Sequence, residues 1–347
     1  MSPPARPLFK APPIVGDIAP PCVLPGIDRN PVDLNGDAVA GHPVVVLFCP
    51  SFGMPPIAEM LAGFKVAATD FAALGAPLFV VTRENTRAAM EQGLPFPALM
   101  DKEGEAFAAF GASRGGPTVF VLRPNYHVKA ILKDGAAAAA ALSLVKEMVA
   151  ERHVEVMGRH APVLIVPEVF SREDCAYFVR VFAERGKTFI EPGHGDDHMT
   201  TDYKMRIPEY GRGDRIDHWI LDKDTVTLAD ARLKNRVFPE IRKAFHYQVT
   251  KRERLRMGSY AGDRGGELHG HRDNSEPVSA YRRFAMTINL NTEDYEGGAL
   301  RFLEYGDQLY RPRTGDAIVF SSSILHEATE VTKGKRLALL AFLYGES

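Results

Sequence analysis

The segment GGELHGHRDN, residues 265–274, sets an imidazole at His271 and a carboxylate at Asp273 two positions apart. Side chains alternate between faces along an extended strand, so these two groups would share one face and Arg272 would take the other. A second imidazole, His326, follows the strand-like run DAIVFSSSIL much further along the chain. Two neutral imidazoles and one carboxylate form a facial ligand set for Fe(II), with three positions left open. His-x-Asp alone also arises in surface turns, so the pair needs support from elsewhere in the chain. His269 has the same strand parity as His271 and Asp273. Periodicity leaves it as a ligand after a register shift, a polar residue of the same pocket, or a solvent-facing residue at the strand entrance.

Arg336 lies ten positions after His326, in HEATEVTKGKRLAL. Its planar guanidinium can grip a carboxylate through two parallel hydrogen bonds, which a lysine cannot reproduce. A dicarboxylate such as 2-oxoglutarate would then have one end on iron and the other on Arg336. Lys333 and Lys335 are competing anchors, although strand alternation turns Lys335 away from Arg336. A surface ion pair is the plain alternative for Arg336.

These groups need a sheet to bring them together. From Arg254 onward, RLRMGSY, RRFAMTINL, GALRFLEYG, DAIVFSS and RLALLAFLYG are short strand candidates separated by Gly, Asp or Pro turns. Their density predicts a double-sheet barrel, or jelly roll, with flanking helices. SREDCAYFVRVFAERG predicts a helix with Ser171 as N-cap and Gly186 as stop, and LADARLKNRVFPEIRKAF predicts one or two helices bracing the sheet. Between them the polar segment 187–217 reads as a loop, either a lid or binding segment or a surface excursion.

Upstream, GHPVVVLFCPS and APLFVVT are buried-strand candidates flanking the helix candidate PPIAEMLAGFKVAATDFAAL. PTVFVLRP, HVKAILKD and the Ala-rich helix candidate AAAAALSLVKEMVA follow. Strands alternating with helices predict a small α/β domain ending near Ala150. After the connector ERHVEVMGRHAP a new unit starts at Pro162. The expected fold class is thus multidomain, α/β followed by α+β, with domains at 14–150 and 162–347.

The 347 residues, 45% of them hydrophobic, suffice for two cores. With 42 Lys and Arg against 44 Asp and Glu, the formal charge of -2 gives no general attraction to nucleic acid or anionic membrane. Nucleic acid is further disfavoured because no aromatic stacking platform joins a basic stripe. Apolar runs fall well short of the roughly 20 residues that span a bilayer, and the N-terminus lacks the apolar region of a secretory signal. These features predict a cytoplasmic protein without a membrane partner. Cys22, Cys49 and Cys175 are widely separated and form no paired framework, which suits a reducing compartment. Edge strands in the N-terminal unit leave room for homo-oligomers.

Residues from about Pro162 to Ser347 resemble the prolyl 4-hydroxylase-like branch of the 2-oxoglutarate and Fe(II)-dependent oxygenases. The resemblance rests on His271-Arg-Asp273, His326 and Arg336, together with EGGALRFLEYG and RPRTGDAIVFSSSILHEATEVTKGKR. It implies iron held by His271, Asp273 and His326, with 2-oxoglutarate on Arg336. Tyr260, in RMGSYAGDRGGELHGHRD, matches the family tyrosine that lines the cosubstrate pocket, and its alternative is an aromatic core residue. Thr287 and Asn289, on the TINL strand, are secondary donor candidates that could equally satisfy sheet-edge polarity. The implied reaction consumes O2 and 2-oxoglutarate, releases succinate and CO2, and hydroxylates an unactivated C–H bond. Ascorbate is the implied reductant for maintenance, and the primary substrate would be a peptide, a protein or a smaller organic molecule. The carboxylate of Asp273 matches the hydroxylating arrangement, since related halogenases replace it with a small residue.

Residues from about Gly16 to Ala150 resemble the thioredoxin-like fold, especially its peroxiredoxin branch, through PFPALMDKEGEAFAAFG and GGPTVFVLRP. The resemblance implies a cis-proline at Pro117. Where thioredoxins place two cysteines, FCPSFGMPPIAEM has Gly53 and Pro56, and Cys49 precedes the peroxiredoxin position, so the domain reads as redox-inactive. Cys49 is read as a buried structural thiol, with thiol peroxidase activity as the competing function, and Cys175 as a core residue. A noncatalytic recognition protein is the third reading.

Overall fold

The computed structural model describes residues 11–112, 116–151, 160–185, 216–264 and 266–345. The chain divides into two compact units, Met1–Glu155 and Val156–Ser347.

The first unit opens with a ribbon of β1 (Val23–Pro25) and β2 (Pro31–Asp33). There follow β3 (Val44–Cys49), α1 (Pro55–Ala73), β4 (Leu78–Thr82), α2 (Thr86–Glu91), β5 (Ala98–Met100), α3 (Glu105–Phe110), β6 (Thr118–Leu122), β7 (Val128–Leu132) and α4 (Ala137–Ala150). Five strands form one sheet in the order β5-β4-β3-β6-β7, with β3, β4 and β5 parallel and β6 and β7 antiparallel. Every residue of β3 is buried, because Val45 and Leu47 pack with Phe64 of α1 and Val145 of α4 while Val46 and Phe48 pack with Phe107 and Phe110 of α3. A strand covered on both faces reads as a continuous apolar run, which is why VVVLFC was legible. Pro55 and Pro56 open α1, where a missing N–H removes no helical hydrogen bond. The arrangement is thioredoxin-like, as the resemblance implies.

One expectation fails here. No cis peptide bond occurs among the described residues, so Pro117 is trans. Gly116 takes φ +121, a conformation open to glycine, and the chain enters β6 with the isomer that X–Pro bonds favour by roughly 0.5–1 kcal/mol.

The second unit begins with β8 (Leu164–Val166), α5 (Arg172–Arg185), β9 (Ile216–Trp219), α6 (Lys223–Arg232) and α7 (Phe238–Phe245). Ser171 caps α5 as expected: its Oγ accepts from Asp174 N at 3.1 Å and Asp174 Oδ2 accepts from Ser171 N at 3.2 Å. Gly186, the expected stop, lies outside the described residues. The run LADARLKNRVFPEIRKAF forms α6 and α7 joined by a π-helical turn, Leu233–Val237, just before Pro239. The strands continue with β10 (Lys251–Arg252), β11 (Arg256–Ala261), β12 (Leu268–His271), β13 (Phe284–Asn289), β14 (Tyr295–Gly297), β15 (Leu300–Arg301), β16 (Leu309–Tyr310), β17 (Ala317–Ser321), β18 (His326–Ala328) and β19 (Val331–Tyr344).

These strands make a large antiparallel sheet, β8-β17-β13-β19-β11-β9, and a smaller one, β12-β18-β15-β16, with β10 and β14 on β19. Strand parity sorts the side chains of the large sheet. Met286, Ile288, Val319, Leu337 and Leu339 pack with Phe178, Ala229 and Ile241 of the helices. Ala285, Ile318, Phe320 and Phe342 cluster instead with Leu300 and Ala328 of the smaller sheet. The result is the double-sheet body with flanking helices. Strand β9 departs from the loop expected over 187–217: IDHW has no strand pattern of its own, and pairing with β11 recruits it. Residues 187–215 lie outside the described residues.

Candidate active site

The two imidazoles meet across neighbouring strands. His271 ends β12 and is the direct partner of His326, which begins β18, and their ring centroids are 4.4 Å apart. Register shifts between Leu268 and His271, so the simple parity that grouped His269 with His271 is broken. The His269 side chain is 88% exposed, 3.8 Å from Glu267, and belongs to neither the ligand set nor the pocket.

Asp273 lies two residues beyond the end of β12, half-buried as a residue but with a side chain only 8% exposed. Its carboxylate oxygens are each 3.4 Å from an imidazole Nε2, Oδ1 from His271 and Oδ2 from His326. The ligand atoms of all three residues lie within 4.8 Å of one another. Arg272 turns away, as alternation predicts, and donates to both carboxylate oxygens of Glu304 and to the Ser323 carbonyl.

Hydrogen bonding fixes which nitrogens face inward. His271 Nδ1 sits 2.8 Å from His269 O and His326 Nδ1 2.9 Å from Ile324 O. A carbonyl only accepts, so both Nδ1 atoms carry the proton and both neutral rings present an Nε2 lone pair. Burial holds the His326 imidazole below its ordinary range, against the opposing pull of Asp273. For Asp273 burial pushes upward, but His271 and His326, when protonated, together with Arg256 outweigh it and keep the carboxyl low, a role that a bound dication would take over once both rings are neutral. A neutral imidazole beside an ionised carboxylate is the protonation pattern that a divalent metal requires.

The same cavity is lined by Arg336, Tyr260, Thr287, Arg256, Phe320 and Phe342. Arg336, on β19, is 2% exposed and pairs in register with Tyr260 on β11, its Cζ 4.9 Å from the phenol ring centroid. Its Nη2 donates to Asn289 Oδ1 at 3.3 Å, whereas Nε and Nη1 have no partner among the described residues. Thr287 Oγ1 is likewise buried and without a partner among the described residues. An unmet buried donor costs about 1–3 kcal/mol, more when charged, so this end of the cavity is built for an anion. Asn289 differs from expectation. It does not line the cavity, and its Nδ2 donates to Pro312 O at 3.0 Å, so it steadies Arg336. Lys333 pairs with Glu296 in solvent and Lys335 is exposed, so neither competes with Arg336.

Two contributors were missed in the sequence. Arg256 shares the parity of Tyr260 on β11, a legible signal, and its Cζ lies 5.2 Å from the Phe342 ring centroid and 5.6 Å from that of Trp219. Phe342 was hidden in the apolar run of β19. In the first unit, Cys49 is fully buried at the end of β3 and burial pushes its thiol up to about 12. Cys175 is buried and packs in the core, its thiol also pushed up to about 12, first by burial and then by Asp174.

Two sheets thus bring two histidines, an aspartate and a buried arginine into one cavity. Residues 255–344 match the 2OG-Fe(II) oxygenase superfamily, a family whose name carries Fe(II) and 2-oxoglutarate, and residues 15–131 match the AhpC/TSA family. Among curated proteins the chain is similar to a PKHD-type hydroxylase of Saccharophagus degradans, 38% identical over 88 residues, covering 23% of this chain and 39% of that protein. A PKHD-type hydroxylase of Caulobacter vibrioides is 38% identical over 87 residues, covering 22% of this chain and 38% of that one. The chain therefore spans less than two-fifths of the length of either relative. Among solved structures, peroxidoxin BcpB of Mycobacterium tuberculosis is 25% identical with a TM-score of 0.36, covering 40% of this chain and 98% of that chain. No helix among the described residues is long and apolar enough to cross a membrane.

Proposed function

We propose that the second unit is an Fe(II)- and 2-oxoglutarate-dependent dioxygenase that hydroxylates a peptide, a protein or a small organic molecule, with release of succinate and CO2. One observation carries this reading: a single cavity holds two inward Nε2 atoms, a low-pKa carboxylate and a buried guanidinium with two unmet donors. His271, Asp273 and His326 would hold the iron, which when bound supplies the Lewis acidity and redox chemistry for activating O2.

The chain's own residues account for the rest. The carbonyls of His269 and Ile324 lock both imidazoles in the tautomer that offers Nε2. The Arg336 guanidinium and Thr287 Oγ1 would grip the distal carboxylate of 2-oxoglutarate, with Asn289 fixing the guanidinium plane and Tyr260 stacked against it. Phe320 and Phe342 give the cavity apolar walls that limit water around these charges. The printed name "PKHD-type hydroxylase" of the relatives supports hydroxylation as the outcome. Ascorbate is the proposed maintenance reductant, and three free, buried cysteines accord with a cytoplasmic location.

For the first unit we propose a scaffold or recognition role. Peroxide reduction needs a thiolate near neutral pH, and burial places the Cys49 thiol on the opposite side of that requirement.

The test is turnover of purified protein with Fe(II), 2-oxoglutarate and pooled candidate substrates. Succinate and hydroxylated product should form in equal amounts, and both should vanish in Asp273→Ala. Peroxide consumption that depends on Cys49 and survives Asp273→Ala would support the thiol chemistry instead.

A further inference from the structure

A metal-binding carboxylate is ordinarily aimed by hydrogen bonds to its own oxygens. Asp273 differs. Its two carboxylate oxygens face the two imidazoles with which it would share a metal, at 3.4 Å each, and the Arg256 charge acts on them as well. It also lies past the end of β12, where no strand ladder holds its backbone. Something else must set its direction.

The backbone of Asp273 is tied on both sides. Its N–H donates to Ser322 O at 2.9 Å, and its carbonyl accepts from Arg282 Nη1 at 2.9 Å. Arg282 is itself immobilised. Its Nε and Nη2 donate to the two oxygens of Glu253, Nη2 at 2.9 Å, and its Cζ lies 3.8 Å from the centroid of the Phe342 ring. Tyr281 Oη donates to the same Glu253 oxygen at 2.8 Å, so the carboxylate is held from two directions. Both charged side chains are largely buried, 23% and 17% exposed.

We infer that Arg282, braced by Glu253 and Phe342, is a positioning residue for the iron site: it fixes the Asp273 main chain so that its carboxylate points between His271 and His326. The inference rests on the metal site proposed above. A planar guanidinium is required because three separate directions are used at once: a fork onto Glu253, a single bond to the Asp273 carbonyl, and a face on Phe342. A lysine cannot reproduce that set, although it keeps the charge. Removing a group that orients a metal ligand generally lowers metal affinity 10- to 100-fold.

The experiment is an anaerobic Co(II) titration of the full chain, following the d–d absorption of the bound ion, for wild type, Arg282→Lys, Arg282→Gln and Glu253→Gln. Circular dichroism and thermal midpoints identify the folded variants. Arg282→Lys should bind Co(II) at least roughly tenfold more weakly and give an altered spectrum, with Glu253→Gln shifted the same way by a smaller factor. A purely structural role would lower the thermal midpoint while leaving the affinity and spectrum of the folded protein unchanged. Affinity within twofold of wild type in Arg282→Lys and Glu253→Gln overturns the inference. Should either Arg282 variant fail to fold, the folded Glu253→Gln decides by the same twofold criterion. Failure of wild type to bind Co(II) at all would instead remove the metal site itself.

Discussion

At the scale of single residues, chemistry is divided between atoms with fixed roles and atoms left unmet. Arg336 illustrates the second kind. Its Nη2 donates to Asn289 while Nε and Nη1 have no hydrogen-bond partner among the described residues. Arg336→Lys retains one charge and loses the fork, which should cost about 2 kcal/mol, or roughly 30-fold in the 2-oxoglutarate dissociation constant. Isothermal titration with the metal-loaded protein measures this, and metal affinity should stay as in wild type. Asn289→Ala should move the same constant by a smaller factor, since it removes only the brace.

At the scale of elements, the strands hold the site through close approach. Gly298 has φ +60, and a Cβ there would lie 2.9 Å from Val331 Cγ2 and 3.1 Å from Arg336 Cδ. Gly298→Ala should therefore weaken 2-oxoglutarate binding through a displaced Arg336 while leaving metal binding intact, a split that paired titrations resolve. Helices α5 and α6 are joined by a largely buried ion pair, with Arg232 Nε and Nη2 donating to Asp174 at 2.9 and 3.2 Å. Asp174→Ala strands that guanidinium and removes half of the α5 cap, a loss of about 3 kcal/mol readable by urea unfolding. Burial pushes the Asp174 carboxyl upward, but Arg232 and the Ser171 N–H outweigh it and hold the carboxyl below 3.8. Its contribution is therefore present above that unfolded value and fades as pH drops through the lower folded one. Much at this scale was legible in the sequence, because β-branched runs and alternation reflect burial directly. VVVLFC, FAMTIN and the long apolar stretch of β19 all appear as strands. That His271, Asp273, His326 and Arg336 share one cavity was legible through residue type, spacing and the family resemblance together. What escaped depends on partners distant in sequence. The register shift before His271 turned His269 outward, pairing with β11 made a strand of IDHW, and Arg282 reaches Glu253 and Asp273 through a folded corner that no local pattern records.

At the scale of the whole molecule, two folded units carry different chemical potential. The first retains a thioredoxin-like sheet but buries its thiols: burial alone pushes Cys49 up to about 12, and Cys22 is pushed to about 12 by burial first and then by Asp101 and Asp33. Folded-state values above the unfolded 9.0 mean that the thiols contribute fully below pH 9 and lose their contribution as pH rises toward 12. Urea midpoints should fall between pH 8.5 and 10.5, by less in Cys49→Ala than in wild type. The second unit gathers a metal set and an anion seat into one cavity, so ligands should stabilise it by mass action, about 2.7 kcal/mol at 100 times the dissociation constant. The most direct measurement is an anaerobic titration of Fe(II) and 2-oxoglutarate into the purified protein, following the visible charge-transfer absorption of the iron–keto acid chelate. The band should saturate at one equivalent of each in wild type, vanish in Asp273→Ala and His326→Ala, and need far more 2-oxoglutarate in Arg336→Lys. Absence of the band in wild type, or its persistence without His326, would contradict the assignment of this site.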